Sequence, residues 1–378
     1  MTTEPQKQEQ VAEAIRQKGT PLYVYDLSVV EENFRRINDT IPYPRKRIYY
    51  AMMANASEGV LDRIARLGGG VQVNSIHELK SARQRFDTDR ISFTSTGLSR
   101  ETLSRLIVQR VQVNLDSVEE GLKFLSLPTY RNQFGVRLRM PRVYFNGRFT
   151  ESDTGIKESD LEIALINAGN KGVRVNGIHG YCGSNIFDAE FLKKSADYIA
   201  DCASRLHDLE YVNFGGGFGV PVHPEQTPLD LNEVLGYYAE LTKKLSQYNG
   251  REIELRIEPG RALVATAGTL YTRITNVKQL HRSDGKVQVA VNAGFGEFAR
   301  PRLYETYHEV FALGREGNTM YCDVRGNTVL QDDYLAKDIR LPEVKEGDIL
   351  GIRNVGAYGM AMASGFPGKE LPKEVCIE

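Results

Sequence analysis

Between residues 48 and 259 the chain alternates two rhythms: short apolar or β-branched runs, and longer stretches with apolar residues three and four positions apart. The short runs predict strands at 48–52 (IYYAM), 70–73 (GVQV), 91–95 (ISFTS), 111–115 (VQVNL), 134–139 (FGVRLR), 174–180 (RVNGIHG), 209–215 (LEYVNFG) and 252–259 (EIELRIEP). The longer stretches predict helices between them, among them 57–67, 117–126 and 188–206, each with one apolar face. Eight strands separated by helices predict an α/β fold, a (β/α)8 barrel spanning residues 28–262. Beyond Arg261 the pattern changes to strand-like runs at 262–268, 269–280, 286–293 and 347–355, which predict an antiparallel β domain over 263–378. TPLYVYD at 20–26 reads as a strand ahead of the barrel that joins this sheet, so residues 1–27 are grouped with it.

Composition narrows the function classes. Lys and Arg total 48 against 49 for Asp and Glu, so no net charge draws the chain to nucleic acid or anionic lipid. No apolar run nears the roughly 20 residues of a membrane span, and MTTEPQKQEQ lacks the layout of a signal peptide, so a soluble, cytoplasmic protein is expected. Cys182, Cys202, Cys322 and Cys376 form no CxxC pair, and HExxH, GxxxxGK[ST] and GxSxG strings are absent. These residues predict no metal centre.

In such a barrel, ligands sit at the carboxyl ends of the strands, with phosphate commonly held after strands seven and eight. The loop after the seventh predicted strand holds Gly215, Gly216, Gly217, Phe218 and Gly219, and the loop after the eighth holds Glu258, Pro259, Gly260 and Arg261. Glycines let backbone N–H groups approach an anion, and a guanidinium pairs with one in two-point fashion. Either feature alone is often only a tight turn or a surface charge; both in the predicted phosphate loops point to an anionic ligand.

Several strings then occur in a distinctive order: TPLYVYD, YAMMAN (50–55), GVQVNSIHEL (70–79), NLDSVEE (114–120), GYCGSN (180–185), GGGFG, EPGR, RPRLY (300–304) and NVGAYGMAMAS (354–364). In this set the chain resembles the fold type III pyridoxal-phosphate decarboxylases, the diaminopimelate, ornithine and siderophore-type group with an alanine-racemase-like barrel. The resemblance covers almost the whole chain. It implies that Ser184, Gly215, Gly216, Gly217, Gly260 and Tyr358 hold the cofactor phosphate, that Glu258 faces the pyridine nitrogen, and that Arg139 lies near the ring. It also implies that Arg261 serves the phosphate or the substrate carboxylate, that Arg300 and Tyr304 contact the substrate carboxylate, and that the protein is a dimer.

The chain departs from the family pattern at four positions. Met53 stands where the Y-A-x-K-A-N string has the lysine that forms a Schiff base with the cofactor, and Tyr181 replaces the histidine that stacks on the ring. Val329 falls where a reactive cysteine is supplied across the dimer interface, and Gln72 replaces an acidic residue. A thioether can neither dock an aldehyde nor return a proton. Pyridoxal phosphate, if used, is therefore expected to be held noncovalently. The altered positions would carry covalent attachment and proton transfer, whereas the retained ones would bind anions.

Three functional readings stay open. One is a repurposed, lyase-like enzyme that binds a small amino-acid derivative or a phosphorylated ligand, with His179, Tyr181, Cys182 and Cys322 as candidate acid, base or nucleophile. Another is a catalytically silent homologue that forms a homodimer or pairs with an active relative. The third is a residual decarboxylase using noncovalent pyridoxal phosphate.

Overall fold

The computed structural model describes residues 3–128, 132–141, 143–145, 148–150, 153–223, 225–280 and 285–378. An N-terminal helix α1 (Glu4–Lys18) leads into strand β1 (Leu22–Asp26) and helix α2 (Leu27–Thr40). Strands β2 (Lys46–Ala51), β3 (Gly70–Val73), β4 (Ile91–Thr94), β5 (Gln112–Leu115) and β6 (Gln133–Arg137) follow, then a small hairpin of β7 (Val143–Phe145) and β8 (Arg148–Thr150). Strands β9 (Arg174–His179), β10 (Tyr211–Asn213) and β11 (Glu254–Ile257) complete the barrel.

The barrel is closed in the order β10-β11-β2-β3-β4-β5-β6-β9, and every pairing is parallel. Each of the eight predicted strands is present. Their outward faces are buried by amphipathic helices; Glu58–Arg66, for example, buries Val60, Leu61 and Ile64. Inside, Tyr211 crosses the barrel to donate to Asn114 Oδ1 at 2.5 Å. It passes over Gly135 and Gly177, where an added Cβ would stand 1.9 Å from its hydroxyl and 2.1 Å from its ring, respectively. Only glycine at those positions leaves room for the side chain.

The remaining strands are β12 (Gly268–Gln279), β13 (Val287–Val291), β14 (Val310–Ala312), β15 (Thr319–Arg325), β16 (Tyr334–Pro342), β17 (Ile349–Arg353) and β18 (Lys373–Ile377). They form one eight-stranded sheet with β1, which runs antiparallel to β12 and parallel to β18. The sheet is mixed rather than purely antiparallel, since β13 and β15 also pair in parallel. The run at 262–268 is not a strand: it forms a short helix (Arg261–Val264) and a 3-10 turn (Ala265–Ala267). A short, largely buried run that is apolar but for Thr266 carries no periodicity that separates helix from strand. Helix α1, unannounced by its polar sequence, is capped by Thr3 and Gln6 and buries only Val11, Ala14 and Ile15. No helix among the described residues is long and apolar enough to cross a membrane.

Candidate functional site

The carboxyl ends of β2, β9, β10 and β11 converge on a pocket lined by Met53, Tyr181, Ser184, Gly217, Glu258, Gly260, Arg261 and Tyr358, together with Ala51, Asn185, Phe218, Pro259 and Ala262. Strand β2 ends in a 3-10 turn, Met52–Ala54, that buries Met52 and leaves Met53 49% exposed at the pocket. The sheet domain closes over this turn: Tyr358 N–H donates to the Ala54 carbonyl at 2.8 Å, and Asn55 Nδ2 donates to the Gly356 carbonyl at 2.9 Å. Tyr358 thereby reaches the barrel mouth from the other end of the chain.

The glycine loop is packed too closely for side chains. A Cβ would stand 2.3 Å from the Gly180 carbonyl oxygen at Gly215, 2.2 Å from that of Glu258 at Gly216, and 2.1 Å from that of Gly183 at Gly217. Gly215 and Gly217 also have φ of +69° and +87°. The loop therefore presents backbone to the pocket, which suits close approach of an oxyanion.

Glu258 is buried beside it. His179 Nε2 donates to its Oε2 at 2.9 Å and Asn213 Nδ2 donates to its Oε1 at 2.7 Å. Burial pushes the carboxyl up, but the charge and hydrogen bond of His179, the bond from Asn213 and the charge of Arg137 outweigh it and hold Glu258 below the usual carboxylate range. A charged carboxylate thus sits at the pocket with both oxygens engaged from beneath.

The cations are arranged differently. The guanidinium carbons of Arg261 and Arg300 lie 5.1 and 5.9 Å from the Tyr358 ring centroid, and Arg300 lies 5.4 Å from that of Tyr304. Neither arginine has a carboxylate partner among the described residues, and both Nε atoms are buried without a hydrogen bond. Burial lowers both pKa values; Arg300, also repelled by Arg261, falls to about 10, still protonated at neutral pH. A charged guanidinium left unpaired at the glycine cradle, Arg261, with a second one, Arg300, sharing its Tyr358 ring contact, fits an anionic group, a phosphate in particular.

The structure separates the remaining predicted residues. Tyr181, whose phenol is raised by burial, lines the pocket together with Ser184. His179 lies beneath Glu258 and does not line the pocket. Cys182 and Cys322, the latter inside strand β15, are buried away from the pocket, and burial pushes each thiol up to about 11, so neither is placed or ionised as a nucleophile. Arg139 does not approach the pocket; it pairs with Asp153 outside the barrel end. Arg137 is the arginine whose charge reaches Glu258, and it bonds Asp116 Oδ1 at 3.1 Å. Both arginines have the same parity along FGVRLR, but the chain leaves the barrel after Arg137: Leu138 bridges to Ile156 and Arg139 N–H donates to the Ile156 carbonyl. Gln72 is buried and spent on Val73, Asn74 and Thr94. Val329 is 93% exposed on a turn tied down by Asp333, and Tyr304 is also largely exposed.

Residues 27–265 match the family model for the pyridoxal-dependent decarboxylase, pyridoxal binding domain. The chain is 32% identical over 375 residues to the diaminopimelate decarboxylase of Methanothermobacter thermautotrophicus, covering 95% of this chain and 87% of that one. In structure it is similar to a diaminopimelate decarboxylase from Helicobacter pylori complexed with L-lysine, with a TM-score of 0.85, 26% identity, and coverage of 97% and 94%. The fold is also shared with a lysine/ornithine decarboxylase from Vibrio vulnificus, at a TM-score of 0.83, 18% identity, and coverage of 100% and 99%.

Proposed function

Because the chain belongs to the pyridoxal-dependent decarboxylase family, we propose that it binds a phosphorylated, amino-acid-like ligand of the pyridoxal phosphate class noncovalently and does not carry out the family's covalently anchored decarboxylation. The observation that carries this reading is the pocket wall itself, in which Arg261 stands unpaired while Met53 supplies a thioether and no lysine lines it among the described residues.

Pyridoxal phosphate, when bound, supplies an electron sink for carbanion chemistry. The protein's own contribution is positional. Gly215 to Gly217, Ser184, Gly260 and Arg261 would hold the phosphate, the Glu258 carboxylate would face the ring nitrogen and favour its protonated form, and Tyr181 would cover one face. Arg300 and Tyr304 would take a ligand carboxylate. Tyr181, with its phenol raised by burial, is the one pocket-lining residue left from the four candidate acids, bases and nucleophiles, which favours binding over turnover.

The test is an absorbance titration of the purified protein with pyridoxal phosphate, followed by borohydride reduction and intact mass. Saturable binding with no reducible protein adduct is expected of the wild type, and Met53→Lys is expected to gain the adduct. A reduced adduct on the wild-type chain overturns the noncovalent reading, and an absence of binding overturns the choice of ligand.

A further inference from the structure

Arg300 begins the short helix Arg300–Tyr304, and His308, four residues past its end, is only 5% exposed. His308 Nδ1 lies 3.0 Å from the Arg353 carbonyl oxygen. A carbonyl only accepts, so Nδ1 carries the hydrogen and Nε2 is left as the acceptor. The ring stands edge-on to Phe298, with centroids 4.8 Å apart at 77°, which fixes where Nε2 lies. Nε2 is buried and has no partner among the described residues. The charged groups acting on it are Arg300 and Arg261; burial first, then these two cations, hold the imidazole down to about 4, so it is neutral at any working pH.

Arg300 has the complementary deficit, a buried Nε–H donor with no acceptor. A buried guanidinium that must meet an external anion needs to be held in one orientation, yet a carboxylate that held it would also cancel its charge. A neutral imidazole avoids the conflict, because it accepts a hydrogen bond and contributes no negative charge. We propose that His308 is a positioning residue for Arg300: its Nε2 accepts the Arg300 Nε–H when an anion draws the guanidinium to the barrel mouth, leaving the two terminal nitrogens for that anion. This rests on the ligand reading given above. The His308 acceptor and the Arg300 donor are both buried and unmet, whereas buried polar groups are ordinarily hydrogen-bonded, so a pairing between them would satisfy both.

The test compares two probes by calorimetric titration: pyridoxal phosphate, which lacks a carboxylate, and N-(5′-phosphopyridoxyl)-L-lysine, which carries one. The wild type is expected to prefer the second. In His308→Leu that preference should fall roughly tenfold with pyridoxal phosphate affinity unchanged, the scale of one hydrogen bond to a charged group. His308→Gln, whose amide oxygen is also a neutral acceptor, should recover most of it, and His308→Leu should add nothing to Arg300→Gln. A preference retained in His308→Leu, or an equal loss for both probes with a lowered melting temperature, overturns the proposal alone. Failure of the wild type to bind either probe overturns the ligand reading, and this proposal with it.

Discussion

One strand displays the same pair of residue types twice, with opposite results. Glu254, Arg256 and Glu258 project to one face at two-residue spacing along β11 and just beyond it, and Arg261 follows at the mouth. In the barrel interior, Arg256 Nε donates to Glu254 Oε1 at 2.5 Å, and its guanidinium carbon lies 3.7 Å from the Tyr211 ring and 5.1 Å from the Tyr49 ring. At the mouth, Glu258 is taken by His179 and Asn213, and Arg261 is left with the face of Tyr358 and no carboxylate. In the interior the base is paired with the neighbouring acid, whereas at the mouth the acid is satisfied from below so that the base faces outward uncompensated. A buried cation without a counterion costs stability, and its position beside the glycine loop gives that cost a use.

The contrast breaks most sharply at Arg256. Arg256→Ala would leave the largely buried Glu254 with only the more distant Arg47, 3.8 Å away, and remove the cation stacked between two tyrosines, a loss of roughly 3–5 kcal/mol in urea unfolding. If the variant is as stable as the wild type, the interior arginine is no more structural than those at the mouth. Arg261→Gln should do the reverse. Its stability should match or slightly exceed wild type, since no ion pair is lost and a buried, uncompensated charge is removed, while pyridoxal phosphate affinity falls roughly tenfold to a hundredfold, as for one charged hydrogen-bonding group. An Arg261→Gln protein that unfolds early but binds normally would place Arg261 with the interior set.

How much of this contrast is readable in the sequence depends on whether it is local. The eight barrel strands are legible because β-branched runs such as GVQV and VQVNL are bounded by helical spacing, and the phosphate loops follow from strand order alone. The helix Arg261–Val264 is not legible, because ALVATAG is apolar but for Thr266 and shows neither helical nor strand spacing. Arg137 and Arg139 share a parity, and only the pairing of residue 138 with Ile156 sends the second one outward. Cys182 and Cys322 look equally available in the sequence, and their burial is a tertiary fact. Missed altogether were Asn213 and His308, since neither belongs to a motif with a stated role; each matters through a partner 45 residues away. The RPRLY string did point to Arg300, but not to the unpaired nitrogen four residues past its end.

The smallest effect is at Glu258, and it sharpens the comparison by separating charge from contact. Glu258→Gln keeps the shape and most of the hydrogen bonding but removes the charge, so about 1–2 kcal/mol of stability should be lost at pH 7. The pH dependence carries the sign. The folded carboxyl lies below its ordinary value of 4.5, so its stabilisation is present in full above that value and is lost as pH falls through the folded value. The unfolding free energies of wild type and Glu258→Gln should therefore differ by a constant amount above about pH 6 and converge below pH 4.5. Affinity for inorganic phosphate should move by less than about twofold at pH 7, because His179 and Asn213, not Arg261, hold the carboxylate. A large gain in phosphate affinity would mean that Glu258 neutralises Arg261 after all, and the two ends of the strand would then be alike.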